Sequence, residues 1–374
     1  MATPASERVT WPTMNCTNAL HDLDQSLWLD NFTRALLYEG TLARYVRDFG
    51  ITGLTSNPTT FERAIGNSGD YDNAIRRKVL EGRSSESLFF ELALQDLTRA
   101  ADLFRPIFNA TGGVDGWVSL QVSPLLAHDA AGTIAAAADL HARAARPNLF
   151  LTIPGTVEGL AAIEASIFAG VPINITLLFS PAQYQAAAEA WLRGIESRIE
   201  AGLDPKVDSV ASLFVSRWDV AFRKTPASAL NNELGVAVAS QVYQTYRKLL
   251  ASPRWHRAAT AGARPQRLLW SSTGTEDPAA PDTLYIERLA APGTISAMRE
   301  KTLLAFAEHG QARYAMLVEG GDAGAVIEAC CRQGVNVEAL AAQLQREGTE
   351  AFVTSWRALL EVIASRASSL QLRH

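Results

Sequence analysis

The chain has 374 residues, of which 48% are hydrophobic and 20% are charged, and its formal net charge is -5. A chain of this length buries a large core, and its acidic balance, with a pI near 5.8, excludes nucleic acid or an anionic membrane as the expected main partner. The three cysteines show no CxxC or Cys/His spacing, so neither a disulfide framework nor a metal site is expected. A small-molecule substrate is therefore predicted.

The amino-terminal segment lacks an apolar core of signal-peptide length, and no later run approaches the roughly 20 apolar residues that span a bilayer. These features predict a cytoplasmic protein that does not enter a membrane. Residues 1–22 are predicted to form a disordered or loosely ordered lead-in.

Short apolar runs recur along the chain, and a stretch rich in alanine and leucine separates most of them. These runs predict eight β-strands, at residues 27–30, 51–56, 117–122, 149–153, 173–179, 210–215, 268–272 and 283–287. Helical patterns fill the gaps, for example at residues 33–49, 86–104, 130–145, 156–168, 181–199 and 234–250. This alternation predicts an α/β protein with a (β/α)8 TIM barrel over residues 23–319. A doubly wound open sheet is the alternative, but no glycine-rich phosphate loop follows the first strand.

The remaining residues, 320–374, predict a C-terminal helical extension packed on the barrel. Phe352 and Trp356 lie at helical spacing within it. Packing against the barrel wall is the expected role of this aromatic pair, and a lid over the barrel mouth is the alternative.

Polar side chains gather at the predicted carboxyl ends of the strands, where the chemistry of a TIM barrel is carried out. The candidate site residues are Asp30, Asn57, Gln121, Thr152, Asn174, Thr176, Ser212, Phe214, Arg217, Ser271 and Ser272. Some have a simpler interpretation. Asp30 is also placed to cap the helix that starts near Thr33, Asn57 precedes a proline as in an ordinary turn, and Arg217 also fits an exposed surface.

Several stretches of the chain resemble the transaldolase family, in particular its long, actinobacterial-type branch. They follow the family's order between about Asp22 and Leu360, at residues 26–30, 47–59, 174–180, 212–217, 282–287 and 291–294. Transaldolases transfer a dihydroxyacetone unit between sugar phosphates through a lysine Schiff base, without a metal or an organic cofactor. The resemblance therefore implies a TIM barrel with no cofactor, and we expect a monomer or a homodimer.

The resemblance also implies roles for individual residues: a proton relay for Asp30, hydrogen bonding for Asn57 and Asn174, holding of a catalytic water for Thr176, and binding of the substrate and its phosphate for Ser212 and Arg217. Three positions depart from the family pattern. Thr152 stands where the family has its Schiff-base lysine, Gln121 where it has an acid/base glutamate, and Glu276 where this branch has a lysine after strand 7.

These departures change the expected chemistry. A Schiff base needs a primary amine, which threonine lacks, and an amide does not exchange protons at neutral pH. None of the chain's lysines falls in a predicted strand; they are Lys78, Lys206, Lys224, Lys248 and Lys301. Ordinary transaldolase activity is therefore expected to be absent. Glu276 is expected to repel a phosphate, which would favour a less anionic ligand.

Three functions are compatible with these residues. The first is a repurposed, cofactor-free enzyme of transferase or lyase type that performs acid/base carbon-carbon bond, dehydration or cyclisation chemistry on a carbonyl or hydroxy metabolite in specialised biosynthesis. In it, Asp30 is the general acid/base, and Thr152, Gln121, Asn57 and Asn174 orient the substrate. The second is a non-catalytic protein that binds a metabolite or a partner. The third is an active transaldolase with a different strand alignment.

Overall fold

The computed structural model describes residues 16–79, 82–223, 230–312 and 315–371. Within these ranges, parallel strands β1 to β8 pair in sequence order and close into a barrel. The strands are β1 Ser26–Asp30, β2 Ile51–Thr55, β3 Trp117–Gln121, β4 Leu149–Pro154, β5 Ile173–Leu178, β6 Ser209–Phe214, β7 Arg267–Ser271 and β8 Ile295–Arg299. The predicted (β/α)8 TIM barrel is confirmed.

Helices surround the barrel and connect its strands. They are α1 Asn18–Asp22, α2 Arg34–Tyr38, α3 Thr41–Phe49, α4 Pro58–Asn67, α5 Asp72–Val79, α6 Ser85–Ala110, α7 Ala130–Ala144, α8 Val157–Phe168, α9 Pro181–Glu200, α10 Ser216–Phe222, α11 Leu234–Leu250, α12 Pro253–Thr260, α13 Leu284–Arg288, α14 Glu300–His309, α15 Ala323–Arg332 and α16 Val337–Gln371. The helix predicted over residues 33–49 is in fact two helices, because Gly40 adopts a left-handed conformation (φ 78°) between them.

The predicted eighth strand is wrong. Residues 283–287 overlap helix α13, where the Glu287 amide donates a helical hydrogen bond to the Thr283 carbonyl (3.1 Å). The aromatic and β-branched side chains of this segment suit a strand locally, but the barrel closes with β8, which pairs with both β7 and β1. In this register Arg299 lies beside Asp30. The correct eighth strand therefore brings a positive charge to the barrel mouth.

Aromatic side chains fill the amino-terminal half of the barrel interior. Trp117 stacks on Phe150 with ring centroids 4.0 Å apart, and Trp28 lies 6.2 Å from Phe150. A glycine faces them from β2, since a Cβ atom at Gly53 would lie 2.6 Å from the Trp28 ring. This packing leaves a cavity of only about 50 Å³ at the amino-terminal end, so the larger open space of the barrel lies at the carboxyl ends of the strands.

Part of the predicted lead-in is helical. Residues 1–15 lie outside the described part of the chain, but α1 places Leu20 in the core with no exposed surface. The His21 ring also lies 2.9 Å from the carbonyl oxygen of Gly50. The segment from Asn18 onward is therefore packed against the barrel.

Helix α16 crosses the carboxyl end of the barrel. Near its start, the Gln345 side chain donates hydrogen bonds to the carbonyl oxygens of Gly155 and Leu177, each 3.0 Å long. Further along, Ser355 lies 3.0 Å from the Thr59 hydroxyl. These contacts hold the helix over the ends of β4 and β5 and against α4.

Trp356 and Phe352, the aromatic pair of the C-terminal extension, have different surroundings: one packs on the barrel wall and the other reaches the barrel mouth. Trp356 is fully buried and packs edge-on against Phe89, with ring centroids 4.9 Å apart. Phe352 instead lines the cavity at the barrel mouth. Among the helices in the described ranges, none combines the length and the apolar character that crossing a lipid bilayer requires.

Candidate active site

A cavity of about 380 Å³ opens at the carboxyl ends of the strands. Every site residue predicted from the sequence lines it: Asp30, Asn57, Gln121, Thr152, Asn174, Thr176, Ser212, Phe214, Arg217, Ser271 and Ser272. They come together because inward-facing positions alternate along each strand and closure of the barrel brings the strand ends into one ring. Their placement is observed, whereas their catalytic and binding roles stay predictions.

A chain of side-chain hydrogen bonds forms the floor of this cavity. Ser212 donates to the Asn174 carbonyl oxygen (2.7 Å), and the Asn174 amide donates to the Ser119 hydroxyl (3.1 Å). The Ser119 and Thr152 hydroxyl oxygens are 2.6 Å apart. Four strands are joined in this way, and Thr152 ends the chain.

The direction of the last hydrogen bond follows from burial. Ser119 has no exposed surface, and its hydroxyl already accepts from Asn174, so its own proton needs an acceptor. Thr152 is the neighbouring acceptor. When Ser119 donates to Thr152, the Thr152 hydroxyl keeps its proton for a partner in the cavity. The position therefore presents a neutral hydrogen-bond donor to a ligand.

Asp30 is a partly buried carboxylate at the end of β1. Burial raises its pKa above the ordinary value of 3.8, and this effect is opposed by the hydrogen bond from Thr55 (2.7 Å) and by the charge of Arg299. Asp30 does not cap the next helix, because Thr33 accepts the hydrogen bond from the Leu36 amide there. It faces the cavity as a carboxyl group with increased basicity.

Asn57 combines a structural role with its place in the cavity wall. Its side-chain oxygen caps α4 by accepting from the Thr60 amide (3.1 Å), and its side-chain amide donates to the Asn31 oxygen. Both ends of this side chain are thus engaged. By contrast, neither Gln121 nor Thr176 makes a side-chain hydrogen bond with another described residue, although both line the cavity. These two remain free for a ligand.

The sequence analysis missed several cavity residues. Arg63 lies on α4, Arg299 ends β8, and Asn31 follows β1, while Phe352 and Ser355 come from α16. The incorrect eighth strand concealed Arg299. The others lie outside the strands; of these, Phe352 was named in the C-terminal extension, with a lid over the barrel mouth as the alternative, but it was not among the predicted site residues.

The expectation for Glu276 is wrong as to its position. This side chain is exposed and does not line the cavity. The residue lies in the loop that follows β7, and Ser271 and Ser272 form the described cavity wall there. Glu276 therefore makes no direct contact with the cavity, and its expected effect on ligand charge stays a prediction.

Neither an amine nor a metal-binding cluster is found at this cavity. The described residues that line it include no lysine. Elsewhere, Lys78 forms an ion pair with Glu91, and Lys206 and Lys248 are exposed. Over the described ranges, no group of three or more histidine, cysteine or acidic residues is placed to hold a metal ion.

Helix α10, which begins beside Arg217, rests on a buried carboxyl group. Asp219 is 1% exposed and accepts hydrogen bonds from the Tyr285 hydroxyl (2.8 Å) and the Gly235 amide (3.2 Å). Burial nevertheless raises its pKa from 3.8 to about 6. The carboxyl group therefore holds α10, α11 and α13 together at an energetic cost when it is ionised.

This cost predicts a dependence of stability on pH. Because the pKa of Asp219 is higher in the folded chain, its contribution is complete below its unfolded-state pKa near 3.8 and is lost as the pH rises through about 6. Relative to Asp219→Asn, the free energy of unfolding should fall by up to about 3 kcal/mol from acidic to neutral pH. Urea unfolding of both proteins at several pH values measures this. The exposed Asp139→Asn is the control, and parallel curves for all three proteins would contradict the assignment.

Comparison with known proteins agrees with this architecture. The family model for transaldolase/fructose-6-phosphate aldolase matches residues 27–363. A transaldolase of Arthrobacter sp. (strain FB24) is 41% identical over 353 residues, covering 92% of this chain and 95% of that protein. The transaldolase of Acidothermus cellulolyticus is 42% identical over 347 residues, covering 90% and 93%, and that of Thiobacillus denitrificans is 40% identical over 358 residues, covering 94% and 100%. The chain belongs to the transaldolase/fructose-6-phosphate aldolase family.

Proposed function

We propose that this chain is a cofactor-free enzyme that performs acid/base chemistry on a carbonyl or hydroxy metabolite without a lysine Schiff base. One observation carries the proposal: a carboxyl group of raised pKa, Asp30, shares an open cavity with the uncharged donors Thr152 and Gln121, and no described residue of its lining is a lysine. In such a cavity a proton can be moved, and no described lining residue supplies the primary amine that an imine needs.

The absence of Schiff-base chemistry rests on the residues at two positions. By resemblance to the family, Thr152 replaces the lysine and Gln121 replaces the glutamate. Lys301 is exposed, like Lys206 and Lys248, and Lys224 lies outside the described residues. Losing a covalent nucleophile costs up to roughly a million-fold in turnover in other enzymes. The ordinary transfer of a dihydroxyacetone unit is therefore not proposed.

The chemistry we propose begins with removal of a proton next to a carbonyl group. The Asp30 carboxylate takes the proton, and the electron pair of the C–H bond moves into an enolate. The Thr152 hydroxyl and the Gln121 amide donate hydrogen bonds to the enolate oxygen, which stabilises its negative charge. The protonated Asp30 carboxyl group then gives its proton back in one of three ways: to a different carbon atom of the enolate system, to a neighbouring hydroxyl group that leaves as water while the electron pair forms a C=C bond, or to the alkoxide formed when the enolate carbon attacks a second carbonyl carbon. These outcomes correspond to isomerisation, dehydration, and an aldol or cyclisation reaction.

The proposed setting is a specialised biosynthetic pathway in the cytoplasm, with a small metabolite as the substrate. Family membership supports a small-molecule substrate. By the resemblance, a lysine is replaced by Thr152 and a glutamate by Gln121, so one positive and one negative charge are removed together and the net charge of the pocket is unchanged. This paired exchange supports a changed reaction rather than the loss of a single group.

A proton-exchange experiment tests this function. The protein is incubated in D2O with fructose 6-phosphate, dihydroxyacetone phosphate and their unphosphorylated forms, and deuterium uptake next to the carbonyl is followed by NMR. We expect uptake with at least one compound and no adduct after borohydride reduction. Thr152→Val should slow uptake by about 10- to 100-fold, because it removes one donor to the enolate.

The control removes a hydroxyl elsewhere in the barrel. Ser296 is buried on β8, its hydroxyl has no hydrogen-bond partner among the described residues, and it is not one of the residues that line the cavity. Ser296→Ala should therefore exchange like the unmodified protein. A borohydride-stable sugar adduct on any lysine would overturn the proposal and support an active transaldolase.

The second candidate is a non-catalytic binding protein. The open cavity favours it equally, because Gln121 and Thr176 are unengaged there and a plugged site would argue against any ligand. It predicts that a metabolite binds with no deuterium uptake and no product. Binding without exchange across the compounds above would select it.

A further inference from the structure

Three arginines converge on the cavity mouth. Arg63, Arg217 and Arg299 line it, and none of them makes a hydrogen bond or an ion pair with another described residue. Other arginines of this chain are matched to acids, such as Arg34 with Asp96 and Arg254 with Glu196. Arg63 and Arg217 therefore have no ion-pair partner among the described residues, and Arg299 has only the nearby charge of Asp30.

The balance of charge in the cavity is positive. Asp30 is the one acid among its described lining residues, and burial raises the pKa of that carboxyl group, which disfavours its ionised form. Three guanidinium groups thus face at most one carboxylate. An anionic ligand would supply the missing negative charge and would form charge-assisted hydrogen bonds.

The arginines do not lie on one side. Arg217 begins α10 after β6, whereas Arg63 lies on α4 after β2, and these strands occupy opposite positions in the ring of eight. Opposite walls of such a barrel are roughly 15 Å apart, given strands about 4.8 Å apart and tilted by about 36°. Arginine side chains that reach inward from both walls leave a gap that a short carbon chain can span.

Each wall also offers neutral donors. Ser271 and Ser272 line the cavity on the side of Arg217, and Ser272 holds a left-handed backbone conformation (φ 55°). Thr60 and Ser355 line it on the side of Arg63. Arg299 ends β8, beside Asp30. Hydroxyl groups beside a guanidinium group suit phosphate or carboxylate oxygens.

We propose that the cavity binds a linear sugar or polyol that carries an anionic group at each end. Arg217 with Ser271 and Ser272 holds one group and Arg63 holds the other, while Arg299, on the strand midway between β2 and β6, adds positive charge between the two ends. The carbon chain then lies over the hydrogen-bonded floor that ends in Thr152. This inference names the substrate class of the proposed function. Turnover of such a ligand depends on the proposed function, whereas its binding does not.

A matched series of probes tests the two-ended site. Calorimetry measures the dissociation constants of fructose, fructose 6-phosphate and fructose 1,6-bisphosphate, which share a carbon skeleton. We expect the bisphosphate to bind at least 10-fold more tightly than the monophosphate. Arg217→Gln and the double variant Arg63→Gln with Arg299→Gln should each reduce bisphosphate affinity to about that of the monophosphate.

The control is Arg257→Gln, which removes the same charge from an exposed site on α12. It should bind all three probes like the unmodified protein, and thermal unfolding checks that every variant is folded. Equal affinity for the two phosphates, or an unchanged affinity in the Arg63 and Arg299 double variant, overturns the two-ended site. If the two-ended site is overturned but deuterium exchange is still observed, the proposed function stands. If the bisphosphate binds tightly but no deuterium exchange occurs, the two-ended site stands and only the proposed catalysis is overturned.

Discussion

Replacement of Asp30 by asparagine is expected to lower turnover of the substrate by about 1,000-fold, within the range typical of lost general acid/base groups. The residue is the one carboxylate in the described lining of the cavity, and an amide of the same shape neither accepts nor returns a proton. Asparagine can still accept the hydrogen bond from Thr55, so the fold and ligand binding should persist. Deuterium uptake next to the carbonyl and the calorimetric dissociation constant measure the two effects separately.

The pH profile distinguishes a catalytic Asp30 from a merely structural one. If its carboxylate is the base, kcat/KM rises with pH until the raised pKa of Asp30 is passed and then levels off. Arg299 lowers that pKa by its charge, so Arg299→Gln should raise the pKa and move the rising limb to higher pH. Unchanged turnover in Asp30→Asn, or a limb that does not move in Arg299→Gln, would count against the assignment.

Introducing at positions 152 and 121 the lysine and glutamate that the family resemblance implies should allow an imine to form. The double variant Thr152→Lys with Gln121→Glu is expected to give a borohydride-reducible adduct with fructose 6-phosphate, where the unmodified chain gives none. Position 152 is 7% exposed and lies in a cavity with three arginines, so burial and like charges should lower the pKa of the new amine and leave much of it neutral and nucleophilic. Mass spectrometry of the reduced protein measures the adduct.

Two controls make this result specific. Thr152→Arg with Gln121→Glu introduces a cation of similar length without a nucleophilic amine, and it should give no adduct. Thr152→Lys alone lacks the restored acid and should form the adduct at least 10-fold more slowly. An adduct in the unmodified chain would show that another lysine already performs this chemistry, and its absence in a folded double variant would show that the cavity shape has also changed.

The inward-facing site residues were predictable because the relevant pattern is local. Alternation along β3 places Ser119 and Gln121 on one face, and the same rule places Phe150 and Thr152 together on β4. Parallel strands put their carboxyl ends on one side, so these polar positions had to meet once a barrel was assumed. The structure brings Gln121 and Thr152 to the cavity, while Ser119 lies in the hydrogen-bonded chain below them.

The eighth strand was not predictable in the same way. Residues 283–287 have the composition of a strand, whereas Ile295–Arg299, which has the same length, includes serine and alanine. Its status as a strand depends on pairing with β1 and β7, which are distant in sequence. Arg299 was missed for this reason.

The C-terminal helix shows a similar limit. Helical spacing placed Phe352 and Trp356 on one side of a helix, but which neighbours that side meets is set by the path of α16 across the barrel. The bonds from Gln345 to the ends of β4 and β5 fix that path. As a result, Trp356 is buried against α6, and Phe352 reaches the cavity.

The sequence by itself determined the strand-helix alternation, the family resemblance and the identity of the groups at positions 30, 121 and 152, because these depend on local pattern and side-chain chemistry. Only the tertiary structure decided that Arg63 and Arg299 join Arg217, that Glu276 is exposed and does not line the cavity, and that Thr152 ends a hydrogen-bonded chain. These features arise from barrel closure and from a helix laid across its mouth. In both cases, segments that are far apart in sequence pack against each other. The stabilising free energy comes from burying surface between these segments, so it is not a property of any one segment.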